Sequence, residues 1–223
     1  MAKAFLMQSM GIRINPVIQK WDKFFATESL LATLYILLQR NSIISPQPES
    51  TVLRQFEVLS PEKVKVCIIG HSPYPDPRHA TGIPFESKSE PLPVSLRNIY
   101  KELKNDLNIT RTKGKLEDWI NQGVWLFNPI LTVSSNGPQE HAEQWLSINK
   151  IGMQEFSAAY ANKVIFIGLG RLAHSLISPK AKYVIKTSHP SPLSANKGFF
   201  GSRIFSQINK MLEQSGQSPI TWG

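Results

Sequence analysis

Four short apolar runs, spaced along the chain between stretches of helical periodicity, constrain its fold more than any other feature. Short apolar runs bounded by turn residues are typical of buried strands. The four runs are Val64–Ile69, Val124–Phe127, Val164–Ile167 and Tyr183–Lys186. Strands that alternate with helices form βαβ units and a parallel sheet, whose carboxyl ends lie along one rim. We therefore predict an α/β fold with a binding site on that rim.

The stretches around these runs have apolar residues at the spacing of a helix. The predicted helices are Asn15–Phe25, Leu30–Leu38, Leu96–Leu103, Leu116–Gln122, His141–Asn162, Leu172–Ile177 and Phe205–Gln214. Ser95 is predicted to cap the third helix, because a serine side chain accepts a hydrogen bond from a free N–H at a helix start. Pro46 and Pro48 predict a loop at Ile43–Thr51, whereas Val52–Val58 fits either a short helix or an extended segment.

Length and composition suit one globular domain covering residues 1–223. The chain is 41% hydrophobic, and no apolar run is long enough to span a bilayer. Its first residues, Met1–Pro16, lack the apolar core of a signal peptide, so we expect an intracellular protein, cytoplasmic if its source is prokaryotic. The single cysteine, Cys67, lies inside the first predicted strand, where we expect a buried structural thiol.

The formal net charge of +9 favours a polyanionic partner. Nucleic acid is the first candidate, and an anionic membrane surface is the second. Because no block of lysine and arginine and no basic amphipathic helix stands out, the sequence argues against the membrane. The sequence also shows no cluster with metal-ligand spacing, so no metal site is predicted.

The loop after the first predicted strand, Gly70–Phe85, reads GHSPYPDPRHATGIPF. Its prolines fix the backbone, and its first glycine lets a ligand approach the main chain. Tyr74 and Phe85 offer aromatic faces, while His71 and Ser72 offer polar groups beside them. A rigid loop of this composition above a strand end suits a pocket for a nucleobase. The alternative is an ordinary proline-rich connection.

The loop after the fourth predicted strand, Thr187–Gly201, reads TSHPSPLSANKGFFG. His189 lies just past the strand, and Ser191 and Ser194 are able to donate hydrogen bonds to phosphate oxygens. Leu193 is an apolar residue among polar neighbours, which suits a wedge between stacked bases. The alternative is that Leu193 packs inward and that His189 satisfies only a local hydrogen bond.

Four blocks, in order along the chain, resemble the family-1 uracil-DNA glycosylases. Gly70–Glu86 follows the uracil-site loop of that family, GQDPYHGPxQAHGLCFS, without a gap. Val94–Leu103, VSLRNIYKEL, is similar to PSLENIYKEL, and Trp125–Val133, WLFNPILTV, is similar to LLLNxxLTV. His189–Phe205, HPSPLSANKGFFGSRIF, is similar to HPSPLSxxRGFFGCRxF. The resemblance covers most of the chain, and four ordered blocks make it highly specific.

The resemblance implies a three-layer α/β/α fold around a central, mostly parallel sheet of four strands. It also implies an enzyme that flips uracil out of DNA and hydrolyses its N-glycosidic bond. The implied substrate is uracil-containing DNA, single- or double-stranded, and the enzyme is expected to be a monomer. A proteinaceous glycosylase inhibitor and a replication protein are further candidate partners. No cofactor is implied, because this hydrolysis needs only water and positioned dipoles.

Family roles transfer to individual positions of this chain. Phe85 is expected to stack on the flipped uracil, and Tyr74 to exclude the methyl group of thymine. Asn128 is expected to pair with the uracil edge, and His189 to donate a hydrogen bond to uracil O2 as negative charge develops there. Leu193 is expected to fill the gap left in the base stack. The positions that fall where the family contacts the DNA backbone are Ser95, Gly170, Arg171, Ser191 and Lys197.

The chain departs from the family at the residue that activates water. The general base of the family is an aspartate, and Ser72 occupies its position. A serine hydroxyl can hold a water, but it is a poor base and carries no negative charge. His71 replaces the neighbouring glutamine of the family, and Arg171 replaces a serine at a phosphate contact. Residues Tyr74–Pro75 and Thr81–Ser87 look like the poxvirus uracil-DNA glycosylases, which also act as polymerase processivity factors but keep the aspartate.

Three interpretations follow from this departure. In the first, the protein is a uracil-DNA glycosylase with altered water activation; a sub-hypothesis within it is that His71 or Asp76 of the same loop assists the water. Its catalytic residues are then His189, Ser72 and Asn128, with His71 in the uracil pocket. In the second, the protein binds uracil-containing or single-stranded DNA without cleavage, as a reader or replication accessory. In the third, Ser72 is an engineered inactivating change, against which the other substitutions in the loop argue.

Overall fold

The computed structural model of the chain describes residues 16–39, 42–48 and 51–223. All four predicted strands are present: β1 is Val66–Ile69, β2 is Val124–Phe127, β3 is Ile165–Leu169 and β4 is Tyr183–Thr187. They form one sheet in the order β2-β1-β3-β4, and every pair is parallel. The predicted α/β class is therefore confirmed. The strand order reverses between β1 and β3, and ligands of open α/β sheets bind at such points.

The helices of the described residues, numbered in chain order, are α1 Pro16–Gln19, α2 Thr27–Gln39, α3 Val94–Leu107, α4 Glu117–Ile120, α5 Gln139–Ala159, α6 Arg171–Leu176 and α7 Ile204–Gln214. α5 is one continuous helix and corresponds to the predicted helix His141–Asn162. The segment Val52–Val58, which fitted two structures, contains a single 3₁₀ turn at Arg54–Phe56. Residues 43–48 form no helix, as predicted. Within the described ranges, every helix is too short or too polar to cross a membrane.

The sheet interior explains why the strands are continuous apolar runs. Every residue of β1, β2 and β3 is buried, so neither face of these strands needs polar side chains. β4 forms the edge of the sheet, and its Lys186 is exposed. Cys67 of β1 is fully buried and unpaired, as predicted, and burial raises the pKa of its thiol. The core thus fixes the position of the strand ends that carry the site.

An aromatic cluster in the core packs around Trp125 of β2. Trp125 of β2 stacks on Trp21 with ring centroids 4.1 Å apart. Phe25 and Phe56 pack against the same indole, at centroid distances of 5.9 and 6.0 Å. Burying a side chain of this kind stabilises a fold by about 1.5–3 kcal/mol. The Trp125 indole N–H also donates to the carbonyl oxygen of Gln55 at 2.7 Å, which fixes the turn at residues 54–56 next to β2.

The predicted helix cap at Ser95 is wrong. α3 begins at Val94, two residues before the predicted start at Leu96, and its capping position is Pro93, which makes no side-chain hydrogen bond. Proline suits a helix start because its φ is already helical and it has no N–H that would lack a partner. Ser95 therefore lies in the first turn of the helix. α3 also extends beyond its predicted end, to Leu107, and Asn108 terminates it in the left-handed conformation at φ 57°.

The predicted helix Asn15–Phe25 is wrong over most of its length. Asn15 lies outside the described residues, and α1 ends at Gln19. Turns with mainly i→i+3 hydrogen bonds follow over residues 20–25. The buried Trp21 indole N–H donates to the carbonyl oxygen of Leu59 at 3.0 Å. That contact joins segments 38 residues apart, and such tertiary contacts override local helical periodicity.

Candidate active site

The carboxyl ends of the parallel strands meet at one rim, and most of the predicted site residues gather there. Gly70 follows β1, Asn128 follows β2, and His189 lies just beyond β4. The backbone N–H of Gly70 donates to the carbonyl oxygen of Phe127 at 2.8 Å, which continues the sheet pairing into the loops. These loops enclose a cleft of about 510 Å³. The predicted site residues that line it are His71, Ser72, Tyr74, Phe85, Ser95, Asn128, His189, Ser191 and Leu193.

Gly70 leaves room for the side chains of Asn128 and Phe85 at the base of the cleft. A Cβ atom at this position would lie 2.5 Å from Asn128 Oδ1 and 2.8 Å from Phe85 Cζ. Both distances are shorter than van der Waals contact, so any larger residue would displace the amide or the ring. The glycine is therefore required by the close packing of the site.

Phe85 forms an aromatic wall of the cleft in a strained backbone conformation. Its φ is 64°, in the left-handed region that a bulky residue seldom adopts. The Tyr74 hydroxyl donates to the Phe85 carbonyl oxygen at 2.7 Å and so supports this conformation. The Phe85 ring lies 5.9 Å from the ring of His189 between centroids, tilted by 36°. Strain of this kind is typical of ligand sites, where the surrounding structure holds the residue in place.

Tyr74 lines the cleft, and its phenol hydroxyl stays neutral. Burial, together with the nearby Tyr100, raises the pKa of the Tyr74 hydroxyl well above its usual range. The hydroxyl is therefore protonated near neutral pH, as its hydrogen bond to Phe85 requires. The backbone of Tyr74 is fixed as well, because the Ser45 hydroxyl donates to its carbonyl oxygen at 2.5 Å.

Asn128 is held by its backbone, which leaves its side-chain amide for the cleft. Its N–H donates to Gln55 Oε1 at 2.9 Å, and its carbonyl oxygen accepts from Gln55 Nε2 at 3.1 Å. The Asn128 side chain is buried and lines the cleft. An amide offers both a donor and an acceptor, so it matches the edge of a nucleobase.

His189 is held as a neutral imidazole with one known tautomer. The backbone N–H of Ser191 donates to its Nδ1 atom at 3.1 Å, so the ring proton lies on Nε2. Burial, with a smaller contribution from His71, lowers the pKa of His189 to about 4. The ring is therefore neutral at pH 7 and has an Nε2–H group to donate. This hydrogen bond also fixes the ring orientation beside Phe85.

His71 and Ser72 form a hydrogen-bonded pair on the side of the cleft that follows β1. The Nδ1 atom of His71 lies 3.1 Å from the Ser72 hydroxyl oxygen. Burial lowers the pKa of His71, so its imidazole is also neutral at pH 7. The rings of His71 and His189 have centroids 6.5 Å apart, and their planes are nearly perpendicular, at 78°. The cleft thus contains two neutral imidazoles with different partners.

No aspartate or glutamate belongs to the lining of the cleft in the part of the chain that the structure describes. Asp76, one of the two residues considered for assisting a water, lies in the same loop but outside this lining. The guanidinium of Arg78 donates to its carboxylate at 3.0 and 2.6 Å. These hydrogen bonds lower the pKa of Asp76 to about 2. Of the two residues, only His71 lies at the cleft.

Leu193 projects from the rim instead of packing inward. Its side chain is 84% exposed, although the residue also borders the cleft. The alternative that it belongs to the core is therefore wrong. The Ser194 hydroxyl donates to the His189 carbonyl oxygen at 2.8 Å and contacts the Ser191 hydroxyl at 2.9 Å. These hydrogen bonds hold the loop around the exposed Leu193 in place next to the cleft.

The remaining predicted DNA-contact residues lie outside the cleft lining. Gly170 follows β3 at φ 93°, and the exposed Arg171 begins α6 directly after it. A Cβ atom at Gly170 would lie 3.3 Å from the Cβ of His189, so this turn runs close to the loop after β4. Lys197 ends the 3₁₀ turn Ala195–Lys197 of that same loop. Ser95 and Ser191, in contrast, do line the cleft.

Three supporting residues were not singled out from the sequence. Gln55 holds the backbone of Asn128, and nothing in the ambiguous segment around it indicated that role. Asn98 donates to the Pro190 carbonyl oxygen at 2.8 Å. The buried Glu102 carboxylate accepts from the N–H groups of Gly201 and Arg203, both at 2.8 Å. Asn98 and Glu102 lie in the block VSLRNIYKEL, so the resemblance contained a signal for both.

Comparison with known sequences gives a family for the chain. The profile described as the uracil DNA glycosylase superfamily matches residues 56–213. The chain is 35% identical over 222 residues to the uracil-DNA glycosylase of Ruegeria sp. (strain TM1040), covering 96% of this chain and 93% of that protein. It is 38% identical over 212 residues to the uracil-DNA glycosylase of Exiguobacterium sibiricum, covering 90% of this chain and 92% of that protein.

Comparison with solved structures gives the same answer. The crystal structure of mimivirus uracil-DNA glycosylase is similar with a TM-score of 0.79 at 30% identity, covering 92% of this chain and 86% of that chain. A single-residue variant of mimivirus UNG in complex with UGI is similar with a TM-score of 0.80 at 31% identity, covering 94% of this chain and 88% of that chain. The fold implied by the resemblance is therefore confirmed.

Proposed function

Because this chain belongs to the uracil-DNA glycosylase superfamily, we propose that it flips uracil out of DNA and hydrolyses its N-glycosidic bond without a catalytic carboxylate, as a step of base excision repair. One observation carries this proposal. The cleft combines an aromatic wall, an available amide and a neutral imidazole donor, yet no carboxylate lines it within the described residues. The leaving group is a uracil anion, so these groups can stabilise the charge that develops.

The uracil side of the cleft, which we define as Phe85, Asn128 and His189, stabilises the leaving group. Phe85 stacks on the flipped base, and the Asn128 amide pairs with its edge. The Nε2–H of His189 donates to uracil O2, where negative charge develops as the glycosidic bond breaks. One preorganised donor of this kind lowers a barrier by about 2.7–4 kcal/mol. Tyr74 lies against C5 of the base and excludes the methyl group of thymine.

The loop after β4 stabilises the DNA with its uracil flipped out. The exposed Leu193 inserts into the base stack at the gap that the flipped nucleotide leaves. Ser95, Ser191 and Lys197 contact phosphates on either side, together with the turn at Gly170 and Arg171. The net charge of +9 supports this binding through general attraction to the DNA backbone. The hydroxyl groups of Ser191 and Ser194, which flank Leu193 in the sequence, are 2.9 Å apart and link the two ends of this short segment.

Ser72 holds the attacking water in place of the aspartate of the family. A hydroxyl offers a donor and acceptor for a water, but it lacks the negative charge that would stabilise an oxocarbenium sugar. Most of the catalytic effect is then supplied by the uracil side. The protein acts on single- or double-stranded DNA as a monomer. We expect it to act inside the cell, in the cytoplasm if its source is prokaryotic.

A protein inhibitor is a further proposed partner. Mimivirus UNG forms a complex with UGI, and its structure is similar over 94% of this chain. A replication protein is a second candidate, because part of the uracil-site loop looks like that of the poxvirus enzymes. Co-elution of this chain with UGI on size-exclusion chromatography tests the first partner.

Binding without cleavage is the second candidate function. It is favoured by the lack of a carboxylate among the described residues of the cleft, since a pocket without a base can still recognise uracil. The protein would then act as a reader of uracil in DNA or as a replication accessory. Both candidate functions use the uracil side of the cleft, and they differ only in turnover.

A single-turnover assay on a uracil-containing oligonucleotide tests the proposal. Abasic product is detected by alkaline cleavage for the unaltered protein, Asn128→Ala and Ser72→Asp. We expect the unaltered protein to cleave and Asn128→Ala to lose most of the rate. If only Ser72→Asp cleaves, the uracil side is functional and the natural role is binding. If no variant cleaves or binds uracil-DNA, the proposed substrate is wrong.

A further inference from the structure

We propose that His71 accepts the proton of the attacking water through the Ser72 hydroxyl, so that the pair replaces the missing carboxylate. This inference rests on the proposed function and names the water-activating groups of the same site. We define the water side of the cleft as His71 and Ser72. In this assignment Ser72 contacts the water, and His71 is a positioning residue that also stores the proton.

The geometry of the water side suits a two-step proton transfer. Ser72 Oγ and His71 Nδ1 are 3.1 Å apart, which is hydrogen-bonding distance, and both residues line the cleft. The backbone is fixed on both sides of the pair, since Ile130 N–H donates to the His71 carbonyl oxygen at 3.1 Å and Pro73 follows Ser72. A hydroxyl that donates to Nδ1 keeps its lone pairs free to accept from a water.

The other titratable groups that line the cleft are unable to serve as the base. His189 Nδ1 already accepts the Ser191 N–H, and its Nε2 carries the ring proton. The Tyr74 hydroxyl is protonated and donates to the Phe85 carbonyl oxygen. Outside the lining, the Asp76 carboxylate is held by Arg78. Within the described residues, the imidazole of His71 is therefore the basic group that faces the cleft.

The proposed step balances in atoms and charge. The glycosidic bond breaks, and its electron pair leaves with uracil as an anion beside the His189 donor. The water oxygen bonds to C1′ of the sugar and releases one proton to Ser72 Oγ. The hydroxyl proton of Ser72 passes at the same time to Nδ1 of His71. The products are an abasic sugar with a C1′ hydroxyl, a uracil anion and an imidazolium at His71.

Electrostatics favour this transfer in a cleft without a carboxylate. Positive charge leaves the oxocarbenium sugar as it arrives at His71, so the cleft never holds two cations. The imidazole of His189, 6.5 Å away between centroids, is neutral near pH 7 and does not repel the new charge. Burial lowers the pKa of His71, which keeps its Nδ1 lone pair available at neutral pH. A water that bonds to the oxocarbenium carbon becomes strongly acidic, so a weak base is able to accept its proton.

A mutant cycle with pH profiles tests the inference. Single-turnover rates are measured between about pH 4.5 and 8 for the unaltered protein, His71→Gln, Ser72→Asp and the double variant. General-base catalysis is worth on the order of 10²–10⁴-fold, so His71→Gln should slow cleavage by that factor. In the Ser72→Asp background the same change should alter the rate by only about twofold, because the carboxylate takes the proton itself.

The pH profile separates proton transfer from a structural role. The unaltered protein should lose rate only at a pH below the ordinary histidine value of about 6.5, because burial lowers the pKa of His71 and the protonated ring is unable to accept a proton. This acid limb should be absent in His71→Gln. Asp76→Asn is the matched control: it removes the carboxylate of the same loop that does not line the cleft, and it should change neither the rate nor the profile.

The outcomes distinguish this inference from the proposed function. If His71→Gln cleaves as fast as the unaltered protein, with the same acid limb, the proton transfer is wrong and the glycosylase activity stands. If His71→Gln slows both backgrounds equally, His71 is purely structural and the inference is overturned. If the unaltered protein never cleaves while Ser72→Asp does, the proposed turnover fails, and the inference fails with it.

Discussion

The two sides of the cleft differ in what holds their functional groups. On the uracil side, Asn128 and His189 are each fixed by a separate residue: the Gln55 side chain bonds the backbone of Asn128, and the Ser191 N–H donates to the His189 ring. On the water side, His71 and Ser72 are bonded to each other. A group fixed by a separate residue presents a constant donor or acceptor, whereas two groups bonded to each other can pass a proton between them. Leaving-group stabilisation and water activation therefore depend on different residues of this cleft.

Removing the imidazole of the uracil side should give the largest effect. His189→Ala is expected to slow single-turnover cleavage by about 10²–10³-fold, because one donor to the developing charge is lost. The Kd for uracil-DNA should change little, since that charge develops only in the transition state. Fluorescence anisotropy measures the Kd beside the rate. A variant that loses affinity and keeps its rate would show that His189 only binds the ground state.

Crowding the base of the cleft should give the next largest effect. Gly70→Ala adds a Cβ atom 2.5 Å from Asn128 Oδ1 and 2.8 Å from Phe85 Cζ. Displacing these groups by about 1 Å should slow cleavage on the order of 10²-fold. The thermal unfolding midpoint and the rate are measured together. An unchanged rate in a folded variant would mean that the uracil side does not need its present packing.

Truncating the exposed leucine should affect duplex DNA more than single strands. Leu193→Ala is expected to slow uracil excision from a duplex on the order of tenfold, because the wedge offsets part of an unstacking free energy of a few kcal/mol. Stability should be unchanged, since the side chain is 84% exposed. The measurement is the ratio of duplex to single-strand rates. Equal slowing on both substrates would contradict the wedge.

The smallest expected effect concerns a phosphate contact beside the cleft. Arg171→Ala should weaken DNA binding and reduce the slope of log K against log salt by about 1, as the loss of one ionic contact requires. Lys180→Ala is a matched control, because the exposed Lys180 precedes β4 and lies at the opposite end of the sheet. A slope that is unchanged in Arg171→Ala would count against the contact.

The strands and the cleft residues illustrate what the sequence could predict. Buried strands of a parallel sheet are continuous apolar runs, so all four were visible as such. The resemblance then named Phe85, Asn128 and His189, and the cleft brings these three together. The exposure of Leu193 also followed from its polar surroundings, although an inward position was the alternative. These features were predictable because they depend on local pattern or on ordered motifs.

The supporting contacts were not predictable, because they join distant segments. Gln55 reaches Asn128 across 73 residues, and no periodicity encodes that pairing. The start of α3 was predicted at the wrong residue, since Pro93 supplied a preformed helical φ and left Ser95 inside the first turn. The pairing of His71 with Ser72 was equally hidden, because adjacent residues of an irregular loop point in directions that only the folded backbone defines.

The central claim is that the uracil side supports hydrolysis without a carboxylate. The most direct measurement is the single-turnover rate of the unaltered protein relative to Ser72→Asp on the same uracil-containing oligonucleotide. We expect both proteins to make abasic sites, with the unaltered protein slower by no more than about 10²–10⁴-fold, the range that a general base supplies. Abasic product from Ser72→Asp alone, with uracil-DNA bound by both, would contradict the account.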